Sequence, residues 1–310
     1  MNTTQMAAES REKLYSLLGE LPDRNRPISA RHIRTTESKH YFLETLALDL
    51  NGIEEVPAYF ARAKNHKGRL PVILFNHSHG GNYDLGKDEF IQGNSYMQKP
   101  PYAEVLARAG FNALCIDHWC FGGRHIKSES ETFKEMLWNG QVLWGMMVYD
   151  SIRAVDYLVS REDVDSSRIG TLGMSMGSTM AWWLAALDTR VKVCVDICCL
   201  TDFHELIKSR GLDCHGIYYY VPSLLRHFSA SDINALIAPR AHLALAGSQD
   251  FLTPPEGLRL IDANMKKVYM NMNAADKWKL FISDSPHVET MHMRKLICKF
   301  LTEEMKREND

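Results

Sequence analysis

"RIGTLGMSMGSTMAWWLAAL", residues 168–187, runs from a short apolar segment into one rich in Ala, Trp and Leu. Between the two sits Gly173-Met174-Ser175-Met176-Gly177. A strand that ends at Met174 and a helix that begins directly after Ser175 force the chain through a turn so sharp that the serine itself takes a strained conformation. Side chains two positions to either side would collide, so the turn needs glycine there, and Gly173 and Gly177 supply it. The start of the following helix offers free backbone N–H groups and a positive dipole end. A plainer reading is open: serine is also a good helix N-cap. The stretch cannot choose between a nucleophile and a cap, and the choice falls to partners elsewhere in the chain.

Outward from this point the pattern alternates. Upstream, "LPVILFN" is almost wholly apolar, as a strand buried on both faces should be. "YAEVLARAG" reads as a helix stopped by Gly110, "FNALCID" as a strand and "GQVLWGMMVYDSIRAVDYLVSR" as a long helix. Downstream, "VKVCVDICC", "RAHLALAG" and "WKLFISD" read as strands, with "GLRLIDANMKKVYMNM" and "HMRKLICKFLTEEMK" as helices. Strands alternating with helices of this length imply an α/β fold: a mostly parallel, twisted sheet with helices on both faces. Near the N-terminus, "HYFLETLALDLNG" and "EEVPAYFARAK" meet at Asn51-Gly52 and predict an antiparallel hairpin at one sheet edge. Leu14, Leu17 and Leu18 place a helix over residues 1–20, within a lead-in that runs to residue 29. No linker divides the chain, so residues 1–310 are expected to form one domain. Residues 200–236 are too long for a simple crossover and read as an inserted lid or cap.

A serine hydroxyl needs a base to take its proton, and the base needs orienting. On this type of fold the order is Ser, then Asp or Glu, then His. Asp250 lies in the loop after "RAHLALAG", and His287 in the loop after "WKLFISD". With Ser175 they fall at the carboxyl ends of strands, where open α/β sheets hold their ligands. Asp196 and Asp202 are rival acids; His292, inside the final helix, would point away from that edge. The loop "HSHGG", residues 77–81, follows the first long buried strand and can give a backbone N–H to an oxyanion. The His79 and Met176 N–H groups are the expected pair, with Gly80 as a rival to His79.

Taken with "DHWCFGGR", "HGIYYYVPSLL" and "IAPRAHLALAGSQDFLTP", these segments resemble the α/β-hydrolase superfamily, in its dienelactone-hydrolase-like and acetyl-xylan-esterase-like branch, over residues 40–305. The resemblance implies serine-dependent ester hydrolysis, sometimes amide hydrolysis, with a triad at Ser175, Asp250 and His287 and no metal or organic cofactor. One departure stands out. The usual His-Gly start of the oxyanion loop is His77-Ser78 here, and the added β-carbon could redirect the loop.

Composition narrows the rest. The chain is 45% hydrophobic and 24% charged, with a formal net charge of −2 and acidic and basic residues mixed along it, which gives no support for a nucleic-acid footprint or a membrane-binding polybasic face. No apolar run approaches the roughly 18 residues of a membrane span, and the charged start does not read as a secretory signal. Seven scattered cysteines suit free thiols in a reducing, cytoplasmic compartment. His77, His79, His118, Cys120 and His125 invite a metal reading, but they lie on two loops without a ligand spacing. Tyr218 and Tyr219, with Trp119, are candidates to line a substrate pocket, against the alternative of core packing.

The expected function is cleavage of a small-molecule carboxylic ester through an acyl-enzyme. A peptidase resembling the prolyl-oligopeptidase catalytic domain is a second reading, although 310 residues leave no room for that group's propeller. A silent ligand-binding relative is a third. A homo-oligomer is compatible with all three and required by none.

Overall fold

The structure, a computed structural model, describes residues 3–64 and 68–306. Nine strands form one sheet: β1 (Ser29–Glu37), β2 (Tyr41–Asp49), β3 (Val56–Ala63), β4 (Leu70–Asn76), β5 (Asn112–Ile116), β6 (Val164–Met174), β7 (Val191–Ile197), β8 (Ala241–Gly247) and β9 (Trp278–Ser283), in the order 1-2-3-5-4-6-7-8-9. The first three are antiparallel to their neighbours, and β5 through β9 with β4 are parallel. Ten α-helices accompany them among the described residues. Six lie ahead of β7: α1 (Thr3–Ser16), α2 (Glu89–Gln92), α3 (Tyr102–Arg108), α4 (Glu129–Trp138), α5 (Leu143–Ser160) and α6 (Met176–Leu187). Four follow: α7 (Phe203–Lys208), α8 (Ala230–Ala235), α9 (Pro255–Asn271) and α10 (Met291–Met305).

The strand pleat explains why both faces are covered. Along β4, Val72 and Leu74 enter one apolar cluster with α5, α6 and α9, while Ile73 and Phe75 enter the other with α3 and α10. Val72, Ile73 and Leu74 are fully buried, and each such side chain stabilises the fold by about 1.5–3 kcal/mol. This is the mostly parallel α/β sheet the sequence implies.

Four details differ from the sequence reading. Residues 29–37 form an additional antiparallel edge strand, β1, all nine of whose residues are exposed. With neither face buried, no alternation of apolar and polar residues marks it. The hairpin between β2 and β3 turns through residues 50–55 rather than a two-residue loop, because Asn51 Oδ1 accepts the Ile53 and Glu54 N–H groups and its Nδ2 donates to buried Asp150. The helix expected over residues 1–20 is seen from Thr3 to Ser16, and residues 1–2 lie outside the described residues. The 200–236 segment is also not uniform: its final helix, α8, buries Ala230 and Ile233 in the core, while Cys214, His215, Gly216, Tyr218 and Tyr219 border the cavity that Ser175 lines.

Candidate active site

The register Asn76↔Gly173 and Gly173↔Asp196 lines up the ends of β4, β6 and β7, so the loops after them emerge together. Ser175 follows β6 with φ 57° and ψ −120°, and its N–H donates to Ile197 O at 2.9 Å. That backbone is not the extended one of a helix N-cap, and the Ser175 side chain makes no capping hydrogen bond. Left-handed conformations of this kind cost of order 1–3 kcal/mol and concentrate at functional sites. Both glycines are required, for different reasons. A β-carbon on Gly173 would lie 2.1 Å from Gly177 O, whereas one on Gly177 would lie 2.0 Å from Asn76 O. The second glycine is therefore demanded by β4 rather than by its counterpart across the turn.

Asp250 and His287 emerge from the ends of β8 and β9, which pair through Gly247↔Ser283. Their loops are tied together by the Gln249 N–H, which donates to Ser285 O at 3.0 Å. His287 Nδ1 stands 2.7 Å from Asp250 Oδ2, and the other carboxylate oxygen accepts the Leu252 N–H. Asp250 is buried at 1% exposure. A buried carboxylate on Nδ1 fixes the proton there and leaves Nε2 as the free, basic nitrogen. The loop beyond is anchored by Glu289, whose N–H donates to Tyr96 O and whose carboxylate takes Tyr102 Oη and both Arg294 donors. The rival residues are engaged elsewhere. Asp196 bonds His242 at 2.6 Å within the core, Asp202 caps α7, and His292 packs on Phe281.

Ser175, Met176 and His287 line one cavity of about 330 Å³, together with His79, Tyr218 and Tyr219. Met176 opens α6, so its N–H has no acceptor within that helix. At the 77–81 loop, Ser78 N–H donates to Glu89, Gly81 N–H to His79 Nδ1 and Asn82 N–H to His79 O, and among the described residues no acceptor engages the His79 or Gly80 N–H. The unexpected β-carbon of Ser78 is accommodated by buried Glu89, which accepts both the Ser78 N–H and its hydroxyl, while that hydroxyl also meets Tyr96 Oη at 2.5 Å. Glu89 carries no local sequence signal, since its role arises only when α2 folds under the loop.

The remaining expectations divide. Tyr218 and Tyr219 do face the cavity. Trp119 does not: it lines a separate cleft beside Glu54, under the Arg124 guanidinium at 4.3 Å. Its loop turns away at Cys120, where φ is 69°. His77 accepts the His118 N–H and is held neutral by burial, as is His118. His79 is likewise depressed by burial to about 4. His215, Phe251 and Leu252 also border the cavity. Sequence reasoning passed over them because their loops meet it only through tertiary packing.

The family described as "Dienelactone hydrolase family" matches residues 56–206. The Bacillus subtilis (strain 168) protein described as "Putative hydrolase YtaP" is 54% identical over 96% of this chain and 99% of its own length. A glucuronoyl esterase from Solibacter usitatus superimposes with a TM-score of 0.74 at 15% identity, over 99% of this chain and 94% of that one. An acetyl xylan esterase from Paenibacillus sp. R4 does so with a TM-score of 0.65 at 19% identity, over 98% and 100%. At those identities the two solved structures establish the shared fold alone. The elbow turn at the end of β6, the sheet order and the near full-length relative agree, and the chain belongs to the dienelactone hydrolase family, as a hydrolase acting on esters with the α/β-hydrolase fold.

Proposed function

We propose that this ester hydrolase is a serine carboxylesterase that works through an acyl-enzyme. Ser175 Oγ attacks the ester carbonyl carbon as His287 Nε2 takes its proton. The C–O bond to the alcohol then breaks, and the imidazolium returns that proton to the leaving alkoxide. Water repeats the sequence on the acyl-enzyme, releasing the acid and restoring Ser175. Asp250 holds the productive tautomer and compensates the imidazolium charge, while the Met176 and His79 N–H groups stabilise the oxyanion.

The observation that carries this reading is the 2.7 Å Asp250–His287 hydrogen bond at a cavity that Ser175, held at positive φ, also lines. In this reading the middle of the 200–236 segment, which lines that cavity through His215, Tyr218 and Tyr219, serves as a cap over a small-molecule ester. All seven cysteines are free, which suits a reducing compartment such as the cytoplasm. Among the described residues no helix is long and apolar enough to cross a membrane. Turnover of a panel of 4-nitrophenyl esters by wild type and Ser175→Ala tests the mechanism: the variant should lose all but trace activity while keeping the wild-type circular dichroism spectrum. A folded variant that retains most of its activity sinks it.

A further inference from the structure

His79 and Tyr218 form a directed pair in the wall of the cavity. The Gly81 N–H donates to His79 Nδ1 at 3.0 Å, so that nitrogen carries no proton. Burial, and the neighbouring His77, His287 and His215, keep the ring neutral, so its single proton sits on Nε2. Nε2 stands 2.9 Å from Tyr218 Oη, and His79 must therefore be the donor in that bond. Tyr218 accepts, and its own hydroxyl proton remains to be placed. Among the described residues that hydroxyl makes no second hydrogen bond. Tyr218 is 5% exposed, and burial raises its ionisation well above the ordinary range, so the proton stays on the oxygen. Its remaining surface borders the cavity that holds Ser175.

The rest of the lining sets the charge of what can enter. Among the described residues around the cavity none is Lys or Arg, and His215, whose Nε2 bonds Leu252 O, is also kept neutral by burial. A substrate carboxylate would meet no cation there, with the buried Asp250 carboxylate behind His287 adding repulsion. An uncharged oxygen acceptor, by contrast, would satisfy a donor that is otherwise left unpaired in a mostly apolar pocket.

We infer that Tyr218 is a specificity-determining residue, oriented by His79, that selects uncharged esters carrying a second acceptor oxygen, such as an ether or hydroxyl, near the scissile carbonyl. This rests on the serine-esterase reading of the same cavity. His79 is a positioning residue in the selection, acting through Tyr218.

The test uses two isosteric pairs that differ by one oxygen: 4-nitrophenyl methoxyacetate against 4-nitrophenyl butyrate on the acyl side, and 2-methoxyethyl acetate against butyl acetate on the alcohol side. The kcat/KM ratio within each pair is compared between wild type and Tyr218→Phe, so that differences in intrinsic reactivity cancel. In one pair the preference for the ether should fall by about tenfold, the effect of one lost neutral hydrogen bond. His79→Leu should lose part of that preference, and His79→Gln, whose amide can donate in place of Nε2–H, should recover it. Mono-4-nitrophenyl succinate should be turned over at least about tenfold less efficiently than the butyrate by wild type. Ratios that move less than twofold in both pairs, or equal losses on both members of each pair, overturn the inference. Failure of the esterase reading would look different, since wild type would then leave every ester intact.

Discussion

Replacing Gly177 by alanine probes the junction on which the site depends. A β-carbon there would stand 2.0 Å from Asn76 O, 2.7 Å from Asn76 C and 2.9 Å from His77 O. Side-chain β-carbons essentially never approach closer than 3.0 Å, so the first turn of α6 and the end of β4 must separate by at least 3.0 − 2.0 = 1.0 Å. All three obstacles are backbone atoms at or just past the end of β4, where Asn76 Nδ2 also bonds Thr171 Oγ1 at 2.8 Å, so the strand cannot give way as a side chain would. Overpacking of this kind costs about 1–3 kcal/mol. The same displacement moves the Met176 N–H relative to the 77–81 loop, and a shift of about 1 Å in an aligned site is worth on the order of a hundredfold in rate. The expected outcome is a folded protein with a denaturant midpoint lowered accordingly and a kcat for 4-nitrophenyl acetate reduced by about two orders of magnitude. Urea titration and steady-state kinetics on the same preparation read both. An alanine variant within 0.5 kcal/mol of wild type, an order-of-magnitude threshold for a neutral change, and within twofold in kcat would show that β4 and α6 are not locked together as described.

Asp250→Asn keeps the size of the side chain but removes the charge that fixes the His287 tautomer; kcat for simple esters should fall by about 10³–10⁴-fold with little change in KM, and a loss under tenfold would count against the Asp250–His287 pairing. Acid should destabilise the fold. His79 takes up a proton near 6.5 when unfolded but only near about 4 when folded, because burial disfavours its charged form. Between those values the unfolded chain binds more protons, so stability is fully present above the unfolded value and falls as pH drops through the window, by about 3 kcal/mol from this group alone. Buried His77 and His118 shift in the same direction and deepen the loss. Urea midpoints measured across the window should decline steadily toward acid, and His79→Gln should flatten the curve; a level profile contradicts the assignment of His79 as neutral.

What the sequence made legible follows from what was buried. β4 and β7 announce themselves because both faces are covered and nearly every residue is apolar. The order Ser175, Asp250, His287 was readable because each follows the carboxyl end of a strand, β6, β8 and β9 in turn. β1 escaped notice for the opposite reason: its residues, SARHIRTTE, all face solvent. α4 was equally silent, as an amphipathic helix of ten residues with Thr132 and Met136 its only buried side chains. Trp119 illustrates a further limit. It stands three residues past the end of β5, at the sheet edge that holds the site, yet the positive φ at Cys120 turns its loop toward α4 and into another cleft. The support of Ser78 by Glu89, and the polarity of the His79–Tyr218 bond, depend on contacts between segments 11 and 139 positions apart and have no local signature.

The most direct measurement is labelling of the purified protein with a fluorophosphonate probe, followed by mass spectrometric mapping of the adduct. The reagent phosphonylates a serine only where a neighbouring base activates it, and it depends little on the natural substrate. One adduct per chain is expected, on the peptide containing Ser175, formed rapidly in wild type and lost in His287→Ala. Folded protein that stays unlabelled, or an adduct mapped to any other serine, would contradict it.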